Sequence, residues 1–182
     1  RMRQTYAALA QLPEGPARDR EAFAFLARLR AWISRVVPGP EFRRELREHL
    51  DALGPDGTFR VFVRSDTNVE DLPGFTGAGL NLTVPNVVGF ENVLAALREV
   101  WASPFTDRSY GWRQNHMEEP EYVFPAVVVQ RSFPSEKSGV MVTADVDTGR
   151  MGWLSIAVNE GVGGAVDGQG AESVLVGSGT RS

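Results

Sequence analysis

The chain has 182 residues, 42% of them hydrophobic and 23% charged, which fits a soluble globular domain of normal size with a sizeable core. Nineteen Lys and Arg against 23 Asp and Glu leave a formal charge of -4, so bulk charge provides no basic face broad enough to grip a nucleic-acid backbone. The absence of cysteine excludes disulfides, thiolate nucleophiles and cysteine-based metal sites, and no run approaches the roughly 18 continuous apolar residues that span a bilayer.

The start, Arg1-Met2-Arg3-Gln4-Thr5, lacks the apolar core of a signal peptide, and the expected location is cytoplasmic, with no membrane or nucleic-acid partner. From Glu21 to Val37 the residues Ala22, Phe25, Leu26, Leu29, Trp32, Ile33 and Val36 recur at helical spacing, which predicts an amphipathic helix stopped by Pro38-Gly39-Pro40. A second helix is predicted from Glu41, with Phe42, Leu46, His49, Leu50 and Leu53 on one side and a stop at Gly54-Pro55-Asp56-Gly57. Residues 1–57 thus read as a helical N-terminal segment. Thr58 to Arg64 is β-branched and aromatic, a strand expected to deliver Arg64 and Ser65 at its end. Asp66 to Gly79, rich in Gly, Asp and Asn, reads as a loop. Leu80 to Val84 is a short strand, and Val93, Leu94, Leu97, Val100 and Trp101 mark a helix running toward Phe105. Gln114 to Pro120 reads as a polar linker that exposes His116. Four further strands are predicted at Tyr122 to Gln130, Gly139 to Ala144, Trp153 to Asn159 and around Ser173 to Val176. Successive strands with short turns predict an α+β fold, a largely antiparallel sheet flanked by helices. The initial Arg and the Gly/Ser-rich run from Val176 to Ser182 read as cut ends of a longer protein, with residues 58–182 an incomplete domain.

Two segments carry candidate chemistry. In Val63 to Gly79 a guanidinium and a hydroxyl, Arg64 and Ser65, precede a glycine-bearing loop, the combination a polyphosphate site needs: Arg offers a planar fork of donors, and glycines let backbone N–H groups approach. The competing reading pairs Arg64 with Asp66, Glu70 or Asp71 in an ordinary surface loop. Asn159 to Gly170 is glycine-rich after a strand, yet it has neither the third glycine of a dinucleotide fingerprint nor a Gly-Lys-Ser/Thr, so a structural turn competes with a phosphate cradle. His49, on the apolar side of its helix near the C-terminus, reads as packed or dipole-stabilised rather than catalytic. Neither histidine has a serine or carboxylate at triad spacing. The acidic pairs Glu70-Asp71 and Glu118-Glu119 read as solvated, and no metal ligand is assigned.

Taken together, the motifs resemble a known family. Val63-Arg64-Ser65 with Glu70-Asp71-Leu72-Pro73 and Phe75-Thr76-Gly77 resembles the signature of the N-terminal, PEP/pyruvate-binding nucleotide domain of pyruvate phosphate dikinases and phosphoenolpyruvate synthases. Its shorter spacing is similar to the glucan, water dikinases. Val100 to Arg108, Val127 to Gln130 and Ser138 to Asp145 with Thr148-Gly149 match further family segments in order. The resemblance implies an ATP-grasp domain that binds ATP with Mg²⁺ and passes the β-phosphoryl to a histidine on another domain of the parent, then to an acceptor such as pyruvate or a glucan. It implies that Arg64, with Ser65, contacts the ATP phosphates. Gln130, Arg131 and Ser132 are then expected on the linking strand where backbone groups face the adenine, and Thr143 to line the same cleft.

Departures from the family pattern matter equally. Its Gly-Leu-Gly-Glu is Gly161-Val162-Gly163-Gly164 here, and its Asn-Pro is Asp145-Val146. The family's phosphate-binding Lys segment, its Mg²⁺-binding acidic and Gln residues, and its phosphoryl-accepting histidine have no counterpart in these residues. Two functional classes follow: the ATP-binding portion of a dikinase-type phosphotransferase, inactive alone, or a non-catalytic regulatory or protein-association module retaining the fold. Sheet edges left uncovered in an incomplete domain would also favour a homo-oligomer.

Overall fold

The computed structural model describes residues 2–69, 71–72, 75–76, 82–162 and 171–178. The chain opens with three helices, α1 (Met2–Ala10), α2 (Pro16–Ile33) and α3 (Pro40–Asp51). Strand β1 (Val61–Thr67) follows, then a ribbon of β2 (Asp71–Leu72) and β3 (Phe75–Thr76), and β4 (Thr83–Val87). Helix α4 (Phe90–Ala102), a 3₁₀ turn (Ser103–Phe105) and α5 (Asp107–His116) lead to β5 (Pro125–Arg131), β6 (Lys137–Ala144), β7 (Met151–Glu160) and β8 (Glu172–Gly177). Every strand pairing among the described residues is antiparallel. The α+β expectation is met, with two three-stranded sheets, ordered β4-β1-β5 and β6-β7-β8, rather than one.

The chain divides into two compact units, residues 1–132 and 133–182, each described by itself. Within the first, alternation along β1 drives packing. Val61 and Val63 are wholly buried against Val93, Leu94, Leu97 and Val100 of α4. Those α4 residues recur at helical spacing, so one stripe of the helix covers one face of the sheet. Gly89 precedes α4 and offers no side-chain cap. Asp56 supplies one instead, its Oδ1 accepting the Phe90 N–H at 3.0 Å and tying the turn after α3 to the start of α4. A second core joins Tyr6 and Leu9 of α1, Ala22, Leu26 and Ile33 of α2, and Tyr110 of α5.

Several expectations need correction. Helix α2 begins at Pro16, where proline suits a first helical turn, and ends at Ile33, so Val36 lies outside it. Trp32, expected on its apolar stripe, is 63% exposed. His49 is exposed in the last turn of α3, which removes the packed alternative and leaves the place at the helix C-terminus that suits dipole stabilisation. The supposed linker around His116 is the end of α5, although His116 is exposed as expected, its ring stacked on Trp112 at 4.4 Å. That helix has no apolar stripe. Thr106 starts it, accepting the Ser109 N–H at 3.2 Å, and Arg113, 1% exposed, anchors it by donating to the carbonyls of Pro104 and Pro120. The "loop" from Asp66 contains the end of β1 and the β2–β3 ribbon.

The second unit is a meander with little interior. Among its described residues Asp145 alone is buried. Gly139 of β6 fits a tight approach: a Cβ there would lie 2.5 Å from the Ala157 carbonyl oxygen of β7. The strand is thus specified at that position by what cannot be accommodated.

Because Arg113 satisfies two carbonyls inside the first unit, Arg113→Met is expected to cost about 1–3 kcal/mol of unfolding free energy, the penalty for orphaning buried acceptors. Urea denaturation checks this, with Arg108→Ala on the exposed side of α5 as a control expected to stay within about 0.5 kcal/mol of wild type.

Candidate functional site

Burying the odd-numbered residues of β1 turns its even-numbered residues the other way. Phe62, Arg64 and Asp66 occupy the face opposite α4, and Arg60 precedes them in the same alternation. Register then decides which residues of the neighbouring strands join them. Phe62 pairs with Gln130, Arg64 with Val128 and Asp66 with Ala126 on β5, while Arg64 pairs with Thr83 on β4. Arg60, Arg64, Thr83, Val128 and Gln130 are all exposed. This open face is the candidate site.

Arg64 stands mid-strand, not at the strand end expected, because β1 continues to Thr67. Among the residues whose side chains are described it makes no hydrogen bond or ion pair, so Asp66, on the same face, does not neutralise it; the side chains of Glu70 and Asp71, the other carboxylates weighed against it, lie outside the described ones. Gln130 lies diagonally across from it. Ser65 is on the other face, toward α4, and its N–H donates to the Leu82 carbonyl at 3.2 Å. Side chains of Arg64 and Ser65 therefore point apart. Ser132 continues the alternation of β5 onto the open face, half-buried, with its N–H donating to Arg60 O at 2.8 Å and its Oγ to Asn86 Oδ1 at 2.9 Å. Arg131 is exposed and has the opposite parity. Thr143 belongs to the second unit, exposed at a bulge in β6 between Val142 and Ala144. Glu70, Pro73, Gly74, Gly77, Ala78, Gly79 and the glycine-rich run from Gly163 to Gly170 lie outside the described residues. Arg60, Thr83 and Asn86 were missed by motif reading. Counting in twos from Arg64 identifies Arg60, whereas Asn86 and Thr83 depend on register.

An exposed cationic fork beside a carboxamide, on an open antiparallel face, suits a ligand that carries both anionic and hydrogen-bonding groups. Residues 17–174 match the family described as Pyruvate phosphate dikinase, AMP/ATP-binding domain. The chain belongs to that family. A rifampicin phosphotransferase of Bacillus subtilis is 31% identical over 159 residues, covering 87% of this chain and 18% of that protein. One from Bacillus cereus is 39% identical over 104 residues, 57% of this chain and 12% of that protein. The phosphoenolpyruvate synthase of Escherichia coli is 36% identical over 126 residues, 68% of this chain and 16% of the synthase. The chain thus spans less than a fifth of the length of these phosphotransferase relatives. No described helix is long and apolar enough to cross a membrane.

Within this AMP/ATP-binding domain, the second unit carries its own concavity. A groove of about 370 Å³ is floored by Val140, Val142 and Leu175, with Ser155, Asp145 and Asp147 at one end. Asp145 shapes that end. Its carboxylate accepts from Thr148 Oγ1 and from the Asp147 N–H at 3.0 Å, closing the β6–β7 turn. Ser155 Oγ accepts the Val146 N–H and donates to Ala144 O, at 3.1 and 2.8 Å. Only 8% of the surface of Asp145 is exposed, and two donors meet its carboxylate. The hydrogen bond from Thr148, then that from Asp147, therefore outweigh desolvation and hold the carboxyl below its ordinary value of 3.8.

A lowered folded-state value means that the carboxylate stabilises the turn above the ordinary carboxyl range and that this stabilisation is lost as pH falls through the lowered value. Thr148→Val removes the larger cause, so the Asp145 titration should move up toward the ordinary value. Carboxyl carbon NMR titration of wild type and Thr148→Val measures it; identical midpoints would show that Thr148 does not set the charge.

Proposed function

We propose that the chain is the ATP-binding part of a dikinase-type phosphotransferase with an ATP-grasp fold, working within a longer parent protein. ATP lies against the open face of β1 and β5, with Arg64 on its phosphates and the β5 segment Gln130 to Ser132 facing the adenine. The observation that carries this reading is the exposed Arg64 guanidinium on the same open face as Gln130, with no ion pair among the described side chains. Structural arginines are ordinarily paired, as Arg43 is with Glu91 at 2.8 Å. One held in place by β1 and left without a carboxylate among the described residues is available to an anion. Ser65, on the other face with its N–H given to the Leu82 carbonyl, belongs to the ladder that holds Arg64 in place rather than to the phosphate contact.

Transfer of a phosphoryl group depends on positioning and charge stabilisation more than on acid–base groups. The fork of Arg64 supplies that stabilisation at phosphate oxygens. Onward transfer runs to a histidine on another domain of the parent and then to an acceptor such as pyruvate, a glucan or an antibiotic hydroxyl. The names of the relatives, a phosphoenolpyruvate synthase and two rifampicin phosphotransferases, support this class of chemistry. Among the described residues no three His, Asp or Glu side chains gather to hold the magnesium that would accompany ATP. Its ligands belong to other parts of the parent.

In the parent protein, Arg64→Ala is expected to weaken ATP binding by about 1.5–3 kcal/mol, the worth of a hydrogen bond to a charged group, and to leave the melting temperature nearly unchanged. Arg64→Lys should recover little, since a single ammonium cannot reproduce a two-pronged contact. Calorimetric ATP titration with thermal melts decides the matter: unaltered affinity in both variants removes Arg64 from the site.

A further inference from the structure

One hydrogen bond on the open face belongs neither to the strand ladder nor to the nucleotide reading. Ser132 Oγ donates to Asn86 Oδ1 at 2.9 Å, although Asn86 is on β4 and Ser132 directly follows β5. Strand β1 lies between them, so the bond bridges the central strand of the sheet. A bulge makes this reach possible. Val61 pairs with Val87 and Val63 with Val84, so β4 carries one more residue than β1 across that interval. Within it Asn86 takes a φ of 56°, the left-handed region that asparagine tolerates better than most side chains. Backbone in that region costs energy and persists where its surroundings require it. What the distortion delivers here is a side-chain acceptor for Ser132.

On the other side, the Ser132 N–H donates to Arg60 O at 2.8 Å, extending the β1–β5 ladder past Arg131. Ser132 is therefore held by both neighbouring strands, by backbone to β1 and by side chain to β4. Gln130 and Arg131 immediately precede this double anchor, and both are exposed.

We infer that Asn86 is a positioning residue: through Ser132 it fixes the end of β5, and with it the placement of the Gln130 side chain and the backbone at Arg131 toward the nucleotide. The inference rests on the nucleotide reading above. It also changes the role of Ser132, whose hydroxyl proton is committed to Asn86, so that its contribution to ATP binding runs through the strand rather than through direct donation.

The test uses the parent protein with Asn86→Gly, Asn86→Asp, Ser132→Ala and the Asn86→Gly/Ser132→Ala double variant. Glycine keeps the left-handed backbone and removes only the acceptor; aspartate keeps both. Each variant is read by ATP titration, thermal melting and hydrogen exchange of peptides covering residues 125–132. Asn86→Gly and Ser132→Ala are each expected to weaken ATP binding about fivefold, the worth of one net hydrogen bond, with melting hardly changed and exchange near Ser132 accelerated. The double variant should be no weaker than either single one, and Asn86→Asp should stay within about twofold of wild type. Wild-type affinity in both single variants, or losses that add in the double, overturns the assignment. Absent ATP binding by the wild-type parent overturns the nucleotide reading instead, and unchanged exchange over 125–132 in Asn86→Gly independently overturns the tie.

Discussion

The burial of Val61 and Val63 beneath α4 is the constraint from which the rest of the first unit follows. A strand has two faces, and once the odd-numbered residues of β1 are committed to the core the even-numbered ones have no choice of side. Slipping β1 by one residue would drive Arg64 and Asp66 into an apolar interior with no ion partner there, a cost several times that of any surface rearrangement. The valines thus set the register, and the register sets which residues of β4 and β5 stand beside Arg64. Asp56 reinforces the arrangement from outside the sheet by capping α4, the element that does the burying.

The second unit is stabilised differently. Its apolar side chains, Val140, Val142, Val174 and Leu175 among them, remain partly exposed, and Asp145 is its one buried residue among those described. Without a core, ladder hydrogen bonds and turn chemistry carry more of the load. That is why a carboxylate sits where an apolar residue would ordinarily be expected: it satisfies the Asp147 N–H and the Thr148 hydroxyl that a tight hairpin leaves without strand partners. A sheet with apolar residues on two faces and few neighbours is also the part of the chain with most to gain from contacts made by other segments of a larger protein.

Legibility in the sequence tracked apolar periodicity closely. Helices α2, α3 and α4 and the later strands were visible because each puts a stripe or an alternation against a core, and their ends moved by a few residues where capping decides. Helix α5 was invisible for the complementary reason: it rests on a threonine cap and on Arg113, whose buried guanidinium reads as a surface charge until the Pro104 and Pro120 carbonyls are seen beside it. Arg64 and Gln130 were found by motif. That Ser65 lies on the face opposite Arg64 was available from simple alternation once the strand was continued to Thr67, whereas Gln130 joins Arg64 only through the β1–β5 register. Asn86 had no such signal, since a bulge is a property of two strands in register and a left-handed backbone is not encoded by one asparagine.

The departures from the family pattern weigh less against nucleotide binding than they do on paper. Asp145 replaces an asparagine of that pattern, and what the residue does here is accept hydrogen bonds from Asp147 and Thr148 to close a turn, a task both side chains perform through the same oxygen position. Val146 follows it as an exposed turn residue whose N–H is taken up by Ser155, a bond that proline would forgo. Both changes lie in the second unit, whereas the open face of β1 and β5 belongs to the first. On that face Arg64 and Asp66 are two residues apart on one strand, about 6.6 Å between Cα atoms, close enough for an ion pair had the strand favoured one. No pair forms. Arg43 and Arg44 on α3, by contrast, take carboxylates at 2.8 Å, so the strand geometry of β1, and not a shortage of nearby charge, leaves Arg64 and Asp66 apart.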